Sequence, residues 1–375
     1  MRILIACGTF EPEVSGMATY TPKLSRLLVE QGHSVQIVTY SSERHFSTDF
    51  TFPFSLKRIV RSGTFSNHIR FFFALWRRAH NADIIYFLDW PSADTLGFYA
   101  CVLRKKPYIV SVGAEYIWEK YLGQERQPLP LSDFYERGLH KKYGIILSRI
   151  KSVLLGAGSV VFSSDQQRLL YIKYYGLNPK KTQVILNPVE EKKFDVSALS
   201  PSREKEIVFV GKFIKMKNIE SAIRAFALWN NHQFRFTLIG EGPEKHAIQE
   251  LVRDLGISDR VEFVPPMKKS DLYQRIINCY YVILPSWTDM SPHQIYECMS
   301  LGIPFLLTKE NYLSINSKDF LKIDPRSLED IVEKMQLLSD PFEYEKHLSS
   351  LRALEFSYSW EDVVGEYQKL FKLLG

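Results

Sequence analysis

The chain has 375 residues, 45% hydrophobic and 24% charged, with 48 Lys and Arg against 42 Asp and Glu for a formal net charge of +6. This composition fits a soluble globular protein with sizeable cores, of two domains at this length. The mildly basic balance is not by itself that of a nucleic-acid-binding domain, and no apolar run approaches the ~20 residues that span a bilayer.

The chain opens with MRILIACGTF, which lacks the long apolar stretch and small-residue cleavage site of a secretory signal. RILIAC (2–7) reads as a strand, 17–31 as a helix, and SVQIVTY (34–40) as the next strand. Residues 52–80 then hold six basic residues (Lys57, Arg58, Arg61, Arg70, Arg77, Arg78), no acid, and seven Phe or Trp. Within them Ile69, Phe72, Phe73 and Trp76 have the spacing of a core-facing helical stripe. The arginines are kept as candidate lipid or phosphate contacts, joined by His140, Lys141, Lys142, Arg149 and Lys151. DIIYFL (83–88), PYIVSV (107–112), SVVFSS (159–164) and QVILN (183–187) continue the strand series. This alternation is the signature of a parallel sheet wrapped by helices. The polar segment 190–206 breaks it and reads as a linker. A second series follows in IVFVG (207–211), RFTLIG (235–240), VEFVP (261–265), YVILP (281–285) and PFLLT (304–308). The tail 359–374 is amphipathic, with Ser359 as N-cap and Asp362 three residues on. Cys7, Cys101, Cys279 and Cys298 are scattered without metal-ligand spacing and read as reduced core residues of a cytoplasmic protein.

Three loops in the second half carry the candidate chemistry. In YVILPSWTDMSPHQIYECMSLGIPFLL, Ser291 reads as a helix cap, Pro292 as the first helical residue, and Gln294 as the completion of a capping box. Gly302 and Pro304 end that helix. Asp289 then lies in the loop and Glu297 more than one turn into the helix, either to reach different parts of one ligand or, equally, as a solvated loop acid and an exposed helix residue. The free N–H groups there, notably of His293 and Ile295, favour an anion such as a phosphate. After Gly211, the loop KFIKMKN brings Lys212, Lys215 and Lys217 to the same sheet edge, which would suit a diphosphate held without metal, a basic surface loop being the plainer alternative for this stretch alone. Gly240 and Gly242, in GEGP, let a ligand approach the backbone, although a plain tight turn explains them equally well. The P-loop pattern, a full G-x-G-x-x-G after a strand, an Asp-x-Asp pair and zinc-ligand pairs are all missing.

Taken together, PSWTDMSPHQIYECMSLGIP, GKFIKMK, GEGP, the opening RILIACGTFEPEVSGMATYTPKLSRLLVEQGHSVQIVT and VILNPVEEKKF resemble the family 4 glycosyltransferases over nearly the whole chain. The resemblance implies a GT-B fold: two Rossmann-like, doubly wound α/β domains facing each other across a cleft, with the closing helix returning to the first. The domains would be 1–189 with 357–375, on the acceptor side, and 207–356, binding the nucleotide sugar. It implies retaining transfer from a nucleotide diphosphate sugar to a glycan or lipid-linked acceptor, with no cofactor and no metal. Glu297 would hold the ribose hydroxyls and Asp289 would touch the donor sugar. Lys212 and Lys217 would stabilise the departing diphosphate, with Ser291, His293, Gln294, Gly211, Gly240 and Gly242 around the donor. Gly16 would admit the donor phosphates to the first domain.

Three residues depart from the family pattern. Asp289 stands for Glu, and Lys212 for Arg, which removes a two-pronged clamp. Gly113 stands where the first domain's His is expected. Glu115 and Glu119 nearby are candidates for a polar role toward donor or acceptor, an ordinary loop acid being the plainer alternative. The expected location is the cytoplasm, with the basic first domain as a candidate contact with the inner face of a membrane and no nucleic-acid partner. A nucleotide-sugar epimerase, a phosphorylase and a non-catalytic sugar-nucleotide binder remain as alternatives, with a dehydrogenase poorly supported.

Overall fold

Two parallel sheets organise the chain. The structure, a computed structural model, describes residues 1–13, 16–90, 95–124, 128–188, 205–290, 293–315, 320–353 and 358–375. It divides into two units: Met1–Ile117 with His140–Pro188 and Tyr358–Gly375, and Trp118–Leu139 with Val189–Ser357.

In the first unit, seven parallel strands run in the order β3-β2-β1-β4-β5-β6-β7. They are β1 (Arg2–Cys7), β2 (Ser34–Ser41), β3 (Ser55–Val60), β4 (Ile84–Trp90), β5 (Tyr108–Val112), β6 (Ser159–Phe162) and β7 (Thr182–Val184). The order reverses beside β1, as in doubly wound nucleotide-binding sheets. One face packs against α1 (Gly16–Glu30) and the returning helix α14 (Trp360–Leu374) in a core that includes Leu24, Leu28, Ile37, Tyr86, Tyr367 and Phe371. The Tyr86 and Tyr367 hydroxyls meet at 2.5 Å inside it. Ser359 caps α14: its hydroxyl accepts from the Asp362 N–H, and the Asp362 carboxylate accepts from the Ser359 N–H. The other face carries α2 (Thr64–Ala79), α3 (Thr95–Arg104) and α6 (Gly144–Gly156). Phe71 of α2 stacks on Tyr40 of β2, and Phe98 of α3 meets Tyr108 of β5 edge-on. The Tyr108 hydroxyl donates to the Val153 carbonyl of α6.

Two sequence expectations are corrected here. The buried stripe of α2 is Phe71, Ala74, Leu75 and Ala79, whereas Ile69 and Phe73 are exposed. The apolar residues fit two stripes at helical spacing, and the close approach of α3 at Gly97, against Leu75 and Phe87, selects the former. The basic segment is also less free than its composition implies. β3, which the sequence reading missed, buries Arg58 against Asp49 at 2.7 Å, and Arg61 pairs with Glu13 at 2.7 Å. His140 is buried edge-on to Tyr174 and takes no part in a surface patch.

In the second unit the order is β10-β9-β8-β11-β12-β13, again parallel. The strands are β8 (Glu206–Val210), β9 (Arg235–Ile239), β10 (Val261–Val264), β11 (Tyr281–Leu284), β12 (Phe305–Thr308) and β13 (Lys322–Ile323). Helices α8 (Ile219–Trp229), α9 (Lys245–Asp254) and α12 (Leu328–Ser339) cover one face. Helices α10 (Lys269–Ile276) and α11 (His293–Ser300) cover the other. Of the expected linker, 190–206, residues 190–204 lie outside the described residues, and Glu206 already belongs to β8. Residues 118–139, which the sequence reading kept with the first half, group with this unit. They carry most of α4 (Tyr116–Gln124) and all of α5 (Leu131–Glu136).

His347, on α13 (Pro341–Ala353), packs between Phe305 and Phe320. Burial drives its pKa from 6.5 down to about 4. Unfolded chains take up a proton near pH 6.5 that the folded chain refuses until about pH 4, so stability rises with pH across that window and is lost on acidification. The full linkage is about 3 kcal/mol. Urea midpoints for His347→Gln should therefore fall less between those pH values than wild-type midpoints do.

Candidate functional site

The β8/β11 boundary is where strand order reverses in the second unit, and ligands of such sheets bind at the carboxyl ends of the strands there. The loops that leave these two strands carry the lysines and Asp289. After Gly211 the chain makes a turn over Lys215–Lys217 and enters α8 through Asn218, whose φ of 50° lies in the left-handed region. Asn218 is buried, and its Nδ2 donates to the Pro285 carbonyl at 3.1 Å and the Pro325 carbonyl at 3.2 Å. That lock fixes the lysine loop against the end of β11. Sequence reasoning missed it; the only signal was an Asn between the lysine loop and the helix start.

The loop after β11 is held from three sides. The Trp287 N–H donates to the Met216 carbonyl at 2.9 Å, and Thr288 Oγ1 accepts from the Leu131 N–H at 2.9 Å. Asp289 donates its N–H to the Glu310 carbonyl at 2.8 Å and accepts from the Tyr312 N–H at 2.9 Å. Glu310 in turn accepts from Ser132 and from Arg326, and Arg326 reaches Asp133 at 2.9 Å. Asp289 is therefore a buried acid, not a solvated loop residue, and its carboxylate faces Lys217 at 3.6 Å.

The helix behind this loop begins, among the described residues, at His293; Ser291 and Pro292 lie outside them, so the expected cap does too. The capping box expected of Gln294 lies outside them with Ser291; the Gln294 Nε2 donates to the Val210 carbonyl at 2.6 Å and ties α11 to β8. Gly302, at φ 62°, ends the helix as expected. His293 presents surface to solvent, yet the protein around it lowers its pKa by desolvation, with Glu297 and Asp289 opposing. Glu297 meets Lys269 at 3.0 Å. Burial works against the lysine's charge, but Glu297 and Tyr273 raise its pKa overall. Lys269, the partner of the candidate Glu297, was passed over by the sequence reading, although it follows β10 at the same sheet edge.

The remaining candidates are placed differently. Lys212 is exposed. The backbone that approaches Gly240 and Gly242 is that of the neighbouring loop: a Cβ at Gly240 would overlap the Gly211 carbonyl, and one at Gly242 the Phe213 carbonyl. The two loops also exchange hydrogen bonds, Phe213 N–H to Glu241 O at 2.8 Å and Glu244 N–H to Phe213 O at 3.0 Å. These glycines shape the lysine loop. Gly242→Ala is expected to cost about 1–3 kcal/mol by overpacking, read as a lower melting temperature. In the first unit Gly16 opens α1 with nothing within 4 Å of its Cβ position. Glu115 is fully buried, accepting from the Tyr175 hydroxyl of α7 (Asp165–Tyr175), so it is neither a solvated loop acid nor aimed at open surface. Glu119 is exposed on α4. A cavity of about 630 Å³ opens between α8 and α9 beside Lys215 and Trp287. Glu220, Glu244, Glu250 and Asp254 outnumber Lys215 and Arg224 in its walls, and Lys212, Lys217, Asp289 and Glu297 do not line it. Its charge is the wrong sign for a diphosphate.

Both halves match known families. Residues 14–193 match the family described as Glycosyltransferase Family 4, and residues 190–350 match Glycosyl transferases group 1. An uncharacterized glycosyltransferase of Methanocaldococcus jannaschii is 22% identical over 57% of the chain, and the match spans about half of that relative, 56%. The alpha-monoglucosyldiacylglycerol synthase of Streptococcus pneumoniae is 23% identical over 84% of the chain and 72% of its own length. The solved structure of Anabaena HepE in complex with UDP-glucose shares the fold with a TM-score of 0.74 at 14% identity, over 100% of both chains. With two parallel Rossmann-like units, family matches running from residue 14 to residue 350, and a closing helix in the first core, the chain belongs to the family 4 glycosyltransferases of GT-B fold.

Proposed function

We propose that the protein transfers a sugar from a nucleotide diphosphate sugar to an acceptor hydroxyl with retention of configuration and without a metal ion. The observation that carries this reading is the Lys217–Asp289 pair at the strand-order reversal, fixed by Asn218. When the bond between sugar and phosphate breaks, negative charge develops on the leaving diphosphate. Lys217, with Lys212 on the same loop, supplies cationic donors there, and the first turn of α11 supplies N–H groups. Asp289, buried and held on both sides by backbone, stands beside the donor sugar. Glu297, from α11, holds the ribose.

The donor class rests on neighbours such as HepE, solved with UDP-glucose. The acceptor is a glycan or lipid-linked glycan, a reading favoured by the likeness to a diacylglycerol glycoside synthase. A peripheral contact of the first unit with the inner face of a membrane belongs to the same reading. No helix among the described residues is long and apolar enough to cross a bilayer.

A panel of nucleotide sugars screened by thermal shift should yield one that raises the melting temperature. With that donor and an acceptor extract, free nucleotide diphosphate should accumulate as sugar appears on the acceptor, and EDTA should leave the rate unchanged. Sugar interconversion without an acceptor would instead indicate an epimerase, and strict dependence on magnesium or manganese would end the metal-free mechanism.

A further inference from the structure

The exposed residues of α2, α3 and α6 form helical stripes that point away from the sheet. On α2 the stripe runs through Ser66, Ile69, Arg70, Phe73, Arg77 and His80. A stripe facing solvent is ordinarily polar. Here its apolar members stand out: Phe73 is 54% exposed, Leu103 65% and Ile145 75%, with Tyr99, Val102 and Leu155 about half exposed. The three helices lie side by side, α3 between α2 and α6. Their apolar residues are therefore spread over one layer, not scattered over the molecule. The charge of that layer has one sign. Residues 64–80, 95–106 and 140–156 contain ten Lys or Arg and no Asp or Glu. Arg70, Arg77, Lys105, Lys141, Lys142 and Arg149 among them are exposed.

We propose that this α2–α3–α6 face is a docking surface for an anionic lipid bilayer, with Phe73, Val102, Leu103 and Ile145 entering the headgroup boundary and the surrounding lysines and arginines meeting lipid phosphates. The physics is that of a helix lying in the interface plane: apolar area supplies insertion, and a basic surround supplies attraction to anionic headgroups. A second copy of this chain fits poorly, because a two-fold contact sets the same patch against itself and opposes like charges without an acid to relieve them. Nucleic acid fits poorly too, since its phosphates leave aliphatic Val102, Leu103 and Ile145 without a partner. The assignment deepens the acceptor reading above and rests on it for its purpose, placing the acceptor-side unit where lipid-linked substrates lie.

Flotation of the full chain tests it, with vesicles of phosphatidylcholine alone and with about one-third phosphatidylglycerol, at low and high salt. Wild-type protein should float with the anionic vesicles at low salt and at least tenfold less with neutral ones, and high salt should reduce binding severalfold. Phe73→Ser combined with Leu103→Ser should lower anionic-vesicle binding at least tenfold with an unchanged melting temperature, because both residues are exposed. Phe342→Ser, 74% exposed on the second unit, should leave binding unchanged. Failure of wild type to bind anionic vesicles overturns the assignment and leaves the face to an acidic protein partner. Equal binding by wild type and the double variant overturns it as well. Thermal shift with UDP-glucose, run on wild type and the same variants, keeps the two readings apart: absent vesicle binding by wild type with donor binding intact sinks the docking face alone, whereas vesicle binding with no turnover on any donor and acceptor sinks the transferase reading alone.

Discussion

Lys217→Ala is expected to lower kcat by about 10²–10³ while the protein stays folded, the penalty for removing one donor aimed at developing negative charge. The lysine is an apt target because its surroundings are rigid. The side chain is only 17% exposed, it faces Asp289 at 3.6 Å, and the next residue, Asn218, is bonded to two carbonyls. A charge held this way needs little reorganisation when the leaving group forms. Lys212, exposed on the same loop, is screened by water, and its alanine variant should lose less. Lys217→Arg should recover part of the rate, because charge is kept while the reach of the group changes. Steady-state kinetics on the three variants, beside thermal shift with the nucleotide sugar that the panel yields, separates lost chemistry from lost binding. An unimpaired Lys217→Ala enzyme would remove this lysine from the mechanism.

The second large effect lies in stability. Arg58→Met is expected to destabilise the first unit by about 3–5 kcal/mol, because it leaves the Asp49 carboxylate, largely shielded from water, without its partner. The Arg58 side chain is 1% exposed and Asp49's 10%. The guanidinium also donates to the Glu11 carbonyl at 2.6 Å and lies over the rings of Phe10 and Phe46. Burial alone would raise the Asp49 pKa, but the hydrogen bonds from Arg58 and the Phe46 N–H, with the Arg58 charge, bring it below the usual carboxylate value. A group depressed in this way stabilises above its unfolded pKa and loses that contribution as pH falls. Arg58→Met should thus lower the urea midpoint at pH 7 and weaken its dependence on acid. Replacing Arg58 and Asp49 together by apolar residues should recover much of the loss.

Most strands were legible because each is a short apolar run bounded by turn residues. β3 was not, because Lys57 and Arg58 interrupt SLKRIV, and only the tertiary partner Asp49 makes a buried arginine acceptable there. The face of α2 was misread for a related reason. A helix with aromatics on nearly every side satisfies the spacing rule twice, and the choice is made by α3, which the local pattern does not contain. The two loops that bring Lys217 beside Asp289 were picked out from lysines, glycines and acids at strand ends. The role of Gly240 and Gly242 was not, since it depends on which loop lies alongside. The ties of Leu131 to Thr288 and of Asp133 to Arg326 join residues 157 and 193 positions apart. No windowed pattern could expose them.

Those ties also bear on how the protein can be divided. A fragment cut at the family boundary, near residue 190, keeps six strands but discards Leu131, Ser132 and Asp133. Thr288 then loses its donor one residue before Asp289, and Glu310 and Arg326 each lose a bond. The second unit is in this sense not a contiguous stretch of chain. It borrows a piece encoded upstream, and a graft from another transferase must bring its own counterpart of residues 118–139 to keep the loop in place.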